Sequence, residues 1–374
     1  MHINKPLVVK LLLVVLPFWL VGAVAQRGES SPSAWAAPPT VADPRPDREA
    51  PPGGKTKDAS PEVKALRRQA LKLRRFVKAD WVRRFVKATK YLPDIETRTL
   101  YIDRPKHTAY SEIEAEALSQ EERDKLTKQT RDGDFYYNTK HGTPLAYARA
   151  LDVLAAEGFE VRPGAKIVDY GFGSIGQLRL LACLGAEVTG IEVDYELRAL
   201  YSYPGDQGRI EGARGVAGSL RLVHGFFPSD EEVKRSVGTG YDLFMSKNVL
   251  KNGYLHPARP VDQSKLLDLG VEEEEFVQTL FDMLNPGGYV LIYNLCPPEA
   301  APDEPYIPWA DGHSPFSTEQ YQSAGFEVLV FDRVDSKPAR KMARKLGWEE
   351  GPYAEVLKQG LFAWYTIVKK PETA

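Results

Sequence analysis

The sequence predicts an α/β fold, in which a mostly parallel sheet of seven strands carries helices on both faces. Two observations lead to this prediction. Seven short apolar segments alternate with helical segments from residue 166 onward, as strands and helices do in parallel sheets. A glycine-rich turn also follows the first of these segments and opens a helix. The predicted strands are residues 166–170, 187–192, 220–224, 241–246, 289–294, 326–331 and 361–368.

Helix signals precede and separate these strands. Residues 138–158 read as a loop that leads into a helix, with Pro144 near its first turn and an apolar stripe on one face. Two later helices are predicted to begin at capping boxes, one formed by Ser229 with Glu232 and the other by Ser317 with Gln320.

The composition is ordinary for a globular protein, with 43% hydrophobic and 27% charged residues. Cys183 and Cys296 both lie in apolar contexts, which predicts buried thiols and excludes a disulfide framework. No metal site is predicted. The net charge of −2 is unevenly distributed along the chain. Residues 61–93 carry eleven Lys/Arg and two acidic residues, a net charge of +9, so that the rest of the chain has a net charge of −11. An acidic body excludes nucleic acid as the expected partner of the main domain.

The first 60 residues are predicted to lie outside the folded body. Residues 1–25 combine a basic start, an apolar run and an Ala-Val-Ala end, which are the parts of a secretory signal, or of an uncleaved membrane anchor. Such a segment would make the protein exported or anchored, and the chain would otherwise be cytoplasmic. Residues 26–60 are rich in Pro, Ala and Ser and are predicted to form a disordered linker.

Residues 61–135 are predicted to form a helical, partly basic extension. Its first part, residues 61–91, has apolar residues at helical spacing and basic residues on the other faces. Residues 111–127 are also expected to be partly helical. The basic helix would lie on an anionic membrane, hold a partner, or pack on the body with its basic face in solvent. The apolar stripe consists of Val63, Leu66, Ala70, Leu73, Val77, Trp81 and Phe85.

The segment with the clearest chemical signal runs Val-Asp-Tyr-Gly-Phe-Gly-Ser-Ile-Gly from residue 168 to 176. Gly171 permits a tight turn, Gly173 lets a ligand approach the backbone, and Gly176 would let the helix pack closely on the strand. Glu192 ends the next strand, where a carboxylate can accept both hydroxyls of a ribose. In this strand–turn–helix–strand context the spacing predicts a Rossmann-like site for a nucleotide-type ligand.

This segment resembles the first motif of class I S-adenosylmethionine-dependent methyltransferases. In that family an acidic residue stands two positions before the first glycine, and Asp169 occupies this place. The sequences at 284–288 and 324–328 are similar to the family's entries into its fifth and sixth strands. The resemblance covers about residues 136–370. It implies S-adenosyl-L-methionine as cofactor and in-line methyl transfer as the reaction.

The resemblance implies a cofactor site, with two departures from the family pattern. Residue 175 is Ile, so that the third glycine is Gly176, and the acidic residue often found after strand three is replaced by His224-Gly-Phe-Phe227. Phe226 would stack on the purine instead. The expected cofactor-binding residues are Asp169, Gly171, Phe172, Gly173, Gly176, Glu192, Phe226 and Ser246.

The sequence carries weaker signals for the part of the site that would bind the methyl acceptor. A small-molecule acceptor fits the aromatic residues near the strand ends, and Tyr136, Tyr137 and His141 would close over the cofactor. His256 and His313 are the candidate catalytic bases, because a neutral imidazole titrates near working pH. Lys247 would orient an anionic acceptor or would be a solvated or structural lysine.

Two other functions stay open at this stage. An NAD-dependent oxidoreductase would use the same turn, although Asp169 would then face a pyrophosphate. A non-catalytic nucleotide-binding or scaffold protein would keep the fold without the reaction.

Overall fold

The computed structural model describes residues 59–350 and 354–372. The predicted signal or anchor (1–25) and nearly all of the predicted linker (26–60) lie outside these ranges. The extension contains α1 (Pro61–Leu73), α2 (Asp80–Lys87), β1 (Arg98–Asp103), β2 (Thr108–Ser111), α3 (Glu112–Ala115), α4 (Gln120–Asp124), β3 (Thr127–Arg131) and α5 (Gly133–Asn138).

The main domain follows. It contains α6 (Tyr147–Ala156), β4 (Lys166–Tyr170), α7 (Gly176–Ala182), β5 (Glu187–Glu192), α8 (Tyr195–Leu200), β6 (Gly208–Glu211), β7 (Ala217–His224), α9 (Glu231–Val237), β8 (Tyr241–Lys247), α10 (Asn252–Leu255), α11 (Glu273–Met283), β9 (Leu284–Cys296), α12 (Thr318–Ser323), β10 (Glu327–Val334), α13 (Ser336–Leu346), α14 (Ala354–Gln359) and β11 (Phe362–Lys369). Short 3₁₀ helices occur at Ala88–Tyr91, Pro144–Ala146, Ala213–Gly215, Gln263–Lys265 and Pro308–Ala310.

The main sheet has the strand order β10-β11-β9-β8-β4-β5-β7-β6. Strands β7, β5, β4, β8 and β9 are mutually parallel, which is the 3-2-1-4-5 order of a Rossmann-like sheet. At one edge β11 inserts antiparallel between β9 and β10, and at the other β6 pairs antiparallel with β7. All seven predicted strands are confirmed, and β6 is an eighth that the sequence did not reveal.

Helix starts only partly follow the predicted capping boxes. Ser317 and Gln320 form the predicted box at α12. The prediction at Ser229 is wrong, because Asp230 is the N-cap of α9 and accepts the amide protons of Glu232 and Val233. An aspartate one residue closer to the helix outcompetes the serine for these amides.

The extension predicted as helical contains five α-helices and also a small sheet that the sequence analysis did not predict. Strands β2, β1 and β3 form an antiparallel three-stranded sheet between α2 and α5. The sequence of β1, Arg-Thr-Leu-Tyr-Ile-Asp, alternates buried and half-buried residues, which is the period of a strand with one face in the core. Residues 111–127 contain only the short helices α3 and α4, and each begins at a capping box.

The basic segment at residues 61–91 forms two helices, separated by a turn. Every residue of its predicted apolar stripe is buried, because α1 packs against α13 and α2 packs against α6. Asp152 of α6 accepts the backbone amide protons of Lys78 and Ala79, at 2.7 and 3.0 Å, where α2 begins. The apolar stripe is therefore covered by the body, which agrees with the packed interpretation.

None of the helices in residues 59–350 and 354–372 combines the length and the apolar character that a membrane crossing requires. Cys183 and Cys296 are both buried free thiols, as predicted.

Candidate active site

The candidate site lies at the carboxyl ends of the parallel strands, where open α/β sheets bind their ligands. Asp169 belongs to β4, Glu192 ends β5, and Ser246 and Lys247 end β8. Because strand side chains alternate between faces, Asp169 and Lys247 share one face of the sheet, and Ser246 shares the other with its register partner Tyr170. The structure thus does not bring the predicted Ser246 side chain together with Asp169.

Asp169 is fully buried and has no cationic partner at ion-pair distance within the described residues. Its Oδ2 accepts a hydrogen bond from Gln177 Nε2 at 3.1 Å, and its Oδ1 accepts one from the Tyr147 hydroxyl at 3.4 Å. Burial raises the pKa of Asp169 to about 7, against the opposing hydrogen bonds. The carboxyl group thus has two hydrogen-bond donors and no close counter-ion among the described residues.

The turn after β4 has the conformation that the glycine spacing predicts. Gly171 and Gly173 have φ of 70° and 61°, in the left-handed region that favours glycine. A Cβ on Gly171 would lie 2.4 Å from Val249 Cγ2, and one on Gly173 would lie 2.9 Å from His141 Cγ. Both positions therefore admit only glycine without rearrangement.

The third glycine has a different role from the one predicted. A Cβ on Gly176 would lie 2.7 Å from Pro144 Cγ. The missing side chain of Gly176 therefore lets α7 pack closely on the turn before α6, and not on the sheet. The close approach of α7 to the sheet occurs at Gly190 of β5, where a Cβ would lie 2.6 Å from Phe172 and 2.7 Å from Leu178. The Phe172 side chain is thus part of the core.

Glu192 is buried and already holds the turn together. Its Oε2 accepts the amide proton of Gly173 at 3.0 Å, and its Oε1 accepts those of Val193 and Asp194 at 2.9 and 3.2 Å. Burial raises the pKa of Glu192, and the nearby Asp194 raises it further. Since a carboxylate has about four acceptor positions, roughly one remains for a ligand hydroxyl.

The loop after α5 covers the glycine turn. Thr139 Oγ1 donates to the Gly173 carbonyl at 3.0 Å, and Lys140 Nζ forms an ion pair with Asp194 at 2.8 Å. His141 packs on Gly173, and burial lowers the pKa of His141 to about 4. The predicted closure over the cofactor region thus fits His141.

The same prediction is wrong for the two tyrosines. Tyr136 and Tyr137 are fully buried, and their hydroxyls donate to Asp206 and to the Pro93 carbonyl. Tyr136 links the extension to the body, Tyr137 makes its hydrogen bond within the extension, and both hydroxyls are engaged away from the glycine turn.

The last residue of β7 is His224, and Phe226 lies in the segment that follows. Phe226 is half-buried in this segment. The Nδ1 of His224 and the Oγ of Ser246 are both buried without a hydrogen-bond partner among the described residues. Buried polar atoms of this kind are uncommon in folded proteins, and a ligand is one way to satisfy them.

Lys247 is a site residue whose position the sequence did not settle. It is 8% exposed, and its Nζ lies 5.2 Å from the centre of the Tyr147 ring. Burial, together with the nearby positive charge of Lys251, lowers the pKa of Lys247 to about 8. In the sequence, only its location at the end of the fourth parallel strand could have indicated that Lys247 lies near Asp169.

The two candidate bases differ in their surroundings. His256 Nε2 lies 3.0 Å from both Glu273 Oε1 and the Pro315 carbonyl, so that this nitrogen is engaged. His313 Nδ1 lies 2.7 Å from Asp311 Oδ1, and its ring packs on Trp364 with centroids 4.8 Å apart. The described residues contain no group of three His, Cys, Asp or Glu side chains placed to hold a metal ion.

Asp311 is itself held in place. Its Oδ2 accepts a hydrogen bond from Asn252 Nδ2 at 2.7 Å. Partial burial would raise the pKa of Asp311, but the hydrogen bonds from Asn252 and His313 lower it. The carboxylate can therefore orient the His313 ring through Nδ1 and leave Nε2 as the acceptor nitrogen.

Several features fit the methionine end and the ribose of S-adenosylmethionine. The turn admits no side chain at Gly171 and Gly173, and Asp169 lacks a cation. One feature restricts the fit, because Glu192 and His141 already occupy part of the turn. The donors and acceptors present fit the group, while the loop after α5 covers part of the turn.

No protein-family model and no curated protein matches this sequence. Solved structures do match, among them the [4+2]-cyclase SpnF, at 18% identity over 60% of this chain and 81% of that chain, with a TM-score of 0.37. A methyltransferase from Mesorhizobium loti matches at 15% identity over 60% and 97%, with a TM-score of 0.34. Phosphoethanolamine N-methyltransferase 2 from Haemonchus contortus matches at 13% identity over 66% and 62%, also with a TM-score of 0.34.

These TM-scores are low, and the fold is assigned from the strand order of the sheet. Five parallel strands in the order 3-2-1-4-5, followed by an antiparallel strand inserted before the sixth, make up the class I S-adenosylmethionine-dependent methyltransferase fold that the resemblance implies.

Proposed function

We propose that this protein is a methyltransferase that uses S-adenosyl-L-methionine and acts on a small-molecule acceptor. The observation that carries the proposal is the buried Asp169 carboxyl group beside the glycine turn. A buried carboxylate needs a cation for stability, and it would repel the pyrophosphate of a dinucleotide. The class of acceptor follows only from the resemblance and from the aromatic residues near the strand ends.

The proposed roles follow from where the side chains lie. Asp169 binds the ammonium group of the methionine end, Glu192 accepts a hydrogen bond from the ribose, and Phe226 stacks on the purine. When bound, the cofactor supplies an electrophilic methyl group on a sulfonium centre. The chain's own contribution is to align the acceptor with that methyl group and to exclude water.

His313 is the proposed general base for an acceptor that must lose a proton. Asp311 holds Nδ1, which leaves Nε2 to take the proton. The loop that carries His313 is fixed to the strand ends, because Asn294 of β9 donates to the Gly312 carbonyl at 3.0 Å and the Asn252 amide donates to the His313 carbonyl at 2.9 Å. His256 is the weaker candidate, since its Nε2 is already engaged.

Calorimetric titration of the full chain with S-adenosylhomocysteine and with NADH tests the cofactor. We expect binding of S-adenosylhomocysteine, lost or weakened at least tenfold in Asp169→Ala and Glu192→Ala. Glu187→Ala is the matched control, because Glu187 is exposed at the opposite end of the same strand as Glu192. If both site variants bind S-adenosylhomocysteine with unchanged affinity, the assignment of the cofactor site is wrong. Preferential binding of NADH would favour an oxidoreductase.

Turnover tests the chemistry. Release of S-adenosylhomocysteine is measured over a panel of hydroxyl, amine and thiol acceptors. We expect His313→Gln and Asp311→Asn to lower turnover of a protic acceptor by about 100-fold, in the range of general base catalysis, with cofactor affinity unchanged. His256→Gln is expected to retain most of the activity. Cofactor binding without turnover of any acceptor would favour the non-catalytic alternative.

A further inference from the structure

Asp169 and Lys247 form an unusual pair on one face of the sheet. Met245 is the register partner of Asp169 across β4 and β8, and Lys247 lies two residues farther along β8. With strands about 4.8 Å apart and a rise of about 3.3 Å per residue, their Cα atoms are separated by about 8 Å. The two groups influence each other electrostatically, yet no ion pair joins them among the described residues.

Tyr147 lies between the two charges and contacts both. Its hydroxyl donates to Asp169 Oδ1 at 3.4 Å, and its ring faces Lys247 Nζ at 5.2 Å. Gln177 fixes the other carboxyl oxygen at 3.1 Å, and its own amide is held by the Phe172 carbonyl at 2.7 Å. Asp169 is thus anchored on both oxygens, and each oxygen keeps acceptor capacity for a further donor.

Both buried charges lack a close counter-ion. Burial displaces both groups toward their neutral forms, raising the pKa of Asp169 and lowering that of Lys247. Lys251 does not relieve this, because its Nζ donates to the carbonyls of Leu295 and Trp309. A ligand with one charge would satisfy only one member of the pair, whereas a zwitterion supplies a counter-ion to each.

We propose that Asp169 and Lys247 together recognise a free α-amino acid group, with Asp169 binding its ammonium and Lys247 its carboxylate. This inference rests on the proposed function and adds the second half of the methionine subsite, which the sequence motif does not contain. Lys247 is then a cofactor-binding residue and does not orient the acceptor.

Two ligands that differ only in the carboxylate test this pairing. The full chain, Lys247→Met and Asp169→Asn are each titrated by calorimetry with S-adenosylhomocysteine and with its decarboxylated analogue. Because charge-assisted hydrogen bonds are worth more than neutral ones, we expect Lys247→Met to weaken S-adenosylhomocysteine about 10- to 100-fold and to leave the analogue within about twofold. Asp169→Asn is expected to weaken both ligands. Lys166→Met, an exposed position at the amino end of β4, is the control.

Each outcome has a clear consequence. If Lys247→Met leaves S-adenosylhomocysteine unaffected, or weakens both ligands equally, this inference is overturned while the proposed function stands. If the wild-type chain binds neither ligand, the proposed function falls and this inference falls with it. Retained binding of the analogue also shows that the Lys247→Met variant is folded.

Discussion

The buried carboxyl group of Asp169 should cost the ligand-free protein stability. Its pKa rises from the ordinary 3.8 to about 7 on folding. At 1.36 kcal/mol per pKa unit, this shift of about 3 units sets an upper limit of about 4 kcal/mol on the cost of the ionised form. We expect Asp169→Asn to raise the free energy of unfolding by about 2 kcal/mol at pH 8.5, less than the limit because the amide keeps only one of the two oxygens that accept hydrogen bonds from Tyr147 and Gln177.

The sign of the pH dependence follows from proton binding. Between about pH 4 and pH 7 the folded protein holds a proton on Asp169 that the unfolded chain has released, so that the contribution of Asp169 to stability falls as the pH rises through this window. The advantage of Asp169→Asn should therefore be fully present above pH 7, shrink as the pH falls, and vanish below about pH 4.

Urea unfolding at several pH values between 5 and 8.5 measures this difference. Asp242→Asn is the control, because Asp242 stands at the opposite end of the sheet and accepts hydrogen bonds from the Lys166 amide at 2.9 Å and from Asn285 at 2.8 Å. It should gain no stability at any pH. The reasoning is refuted if Asp169→Asn is less stable than wild type at pH 8.5, or if its advantage does not depend on pH.

Two further predictions concern the turn and the docking of the extension. Gly173→Ala should lose more stability than Gly164→Ala in urea unfolding. Both substitutions place alanine in a left-handed conformation, which costs about 1–2 kcal/mol, but the added Cβ meets another side chain only at Gly173. Equal losses would contradict the tight packing of the turn. Asp152→Ala should cost about 2–4 kcal/mol, since it leaves two backbone amides without their acceptor and removes one hydrogen bond from the Arg149 guanidinium, which Asp335 still holds. Asp80→Ala, which removes only an exposed ion pair, should cost less than about 1 kcal/mol, and a similar loss in both variants would argue against the docking contact.

The parallel part of the sheet could be predicted because each strand is buried on both faces and reads as a short apolar run. The glycine turn could be predicted for a related reason, since the left-handed φ of Gly171 and Gly173 depends on local sequence. The small sheet of the extension could not. Its strands have only four to six residues, and β3 has no buried residue, so that the helical capping boxes nearby gave the stronger signal.

The site itself was predictable only where the chain is locally constrained. Asp169 and Glu192 follow from the motif, whereas the proximity of Lys247 and Tyr147 to Asp169 depends on how β8 and α6 meet β4. Such contacts between distant segments leave no periodic trace in a single sequence. The same reason explains the error at Tyr136 and Tyr137, whose neighbours Asp206 and Pro93 are far from them along the chain.

The packing of α1 on α13 has a consequence for synthesis of the chain. Gln69 Nε2 donates to the Leu346 carbonyl at 3.1 Å, across 277 residues of sequence. At about 5–20 residues per second, roughly 14–55 s pass on the ribosome between the appearance of these two partners. The apolar face of α1 that packs on α13 stays uncovered during that interval, and the basic residues on the other faces of α1 favour the solubility of the nascent segment until α13 emerges.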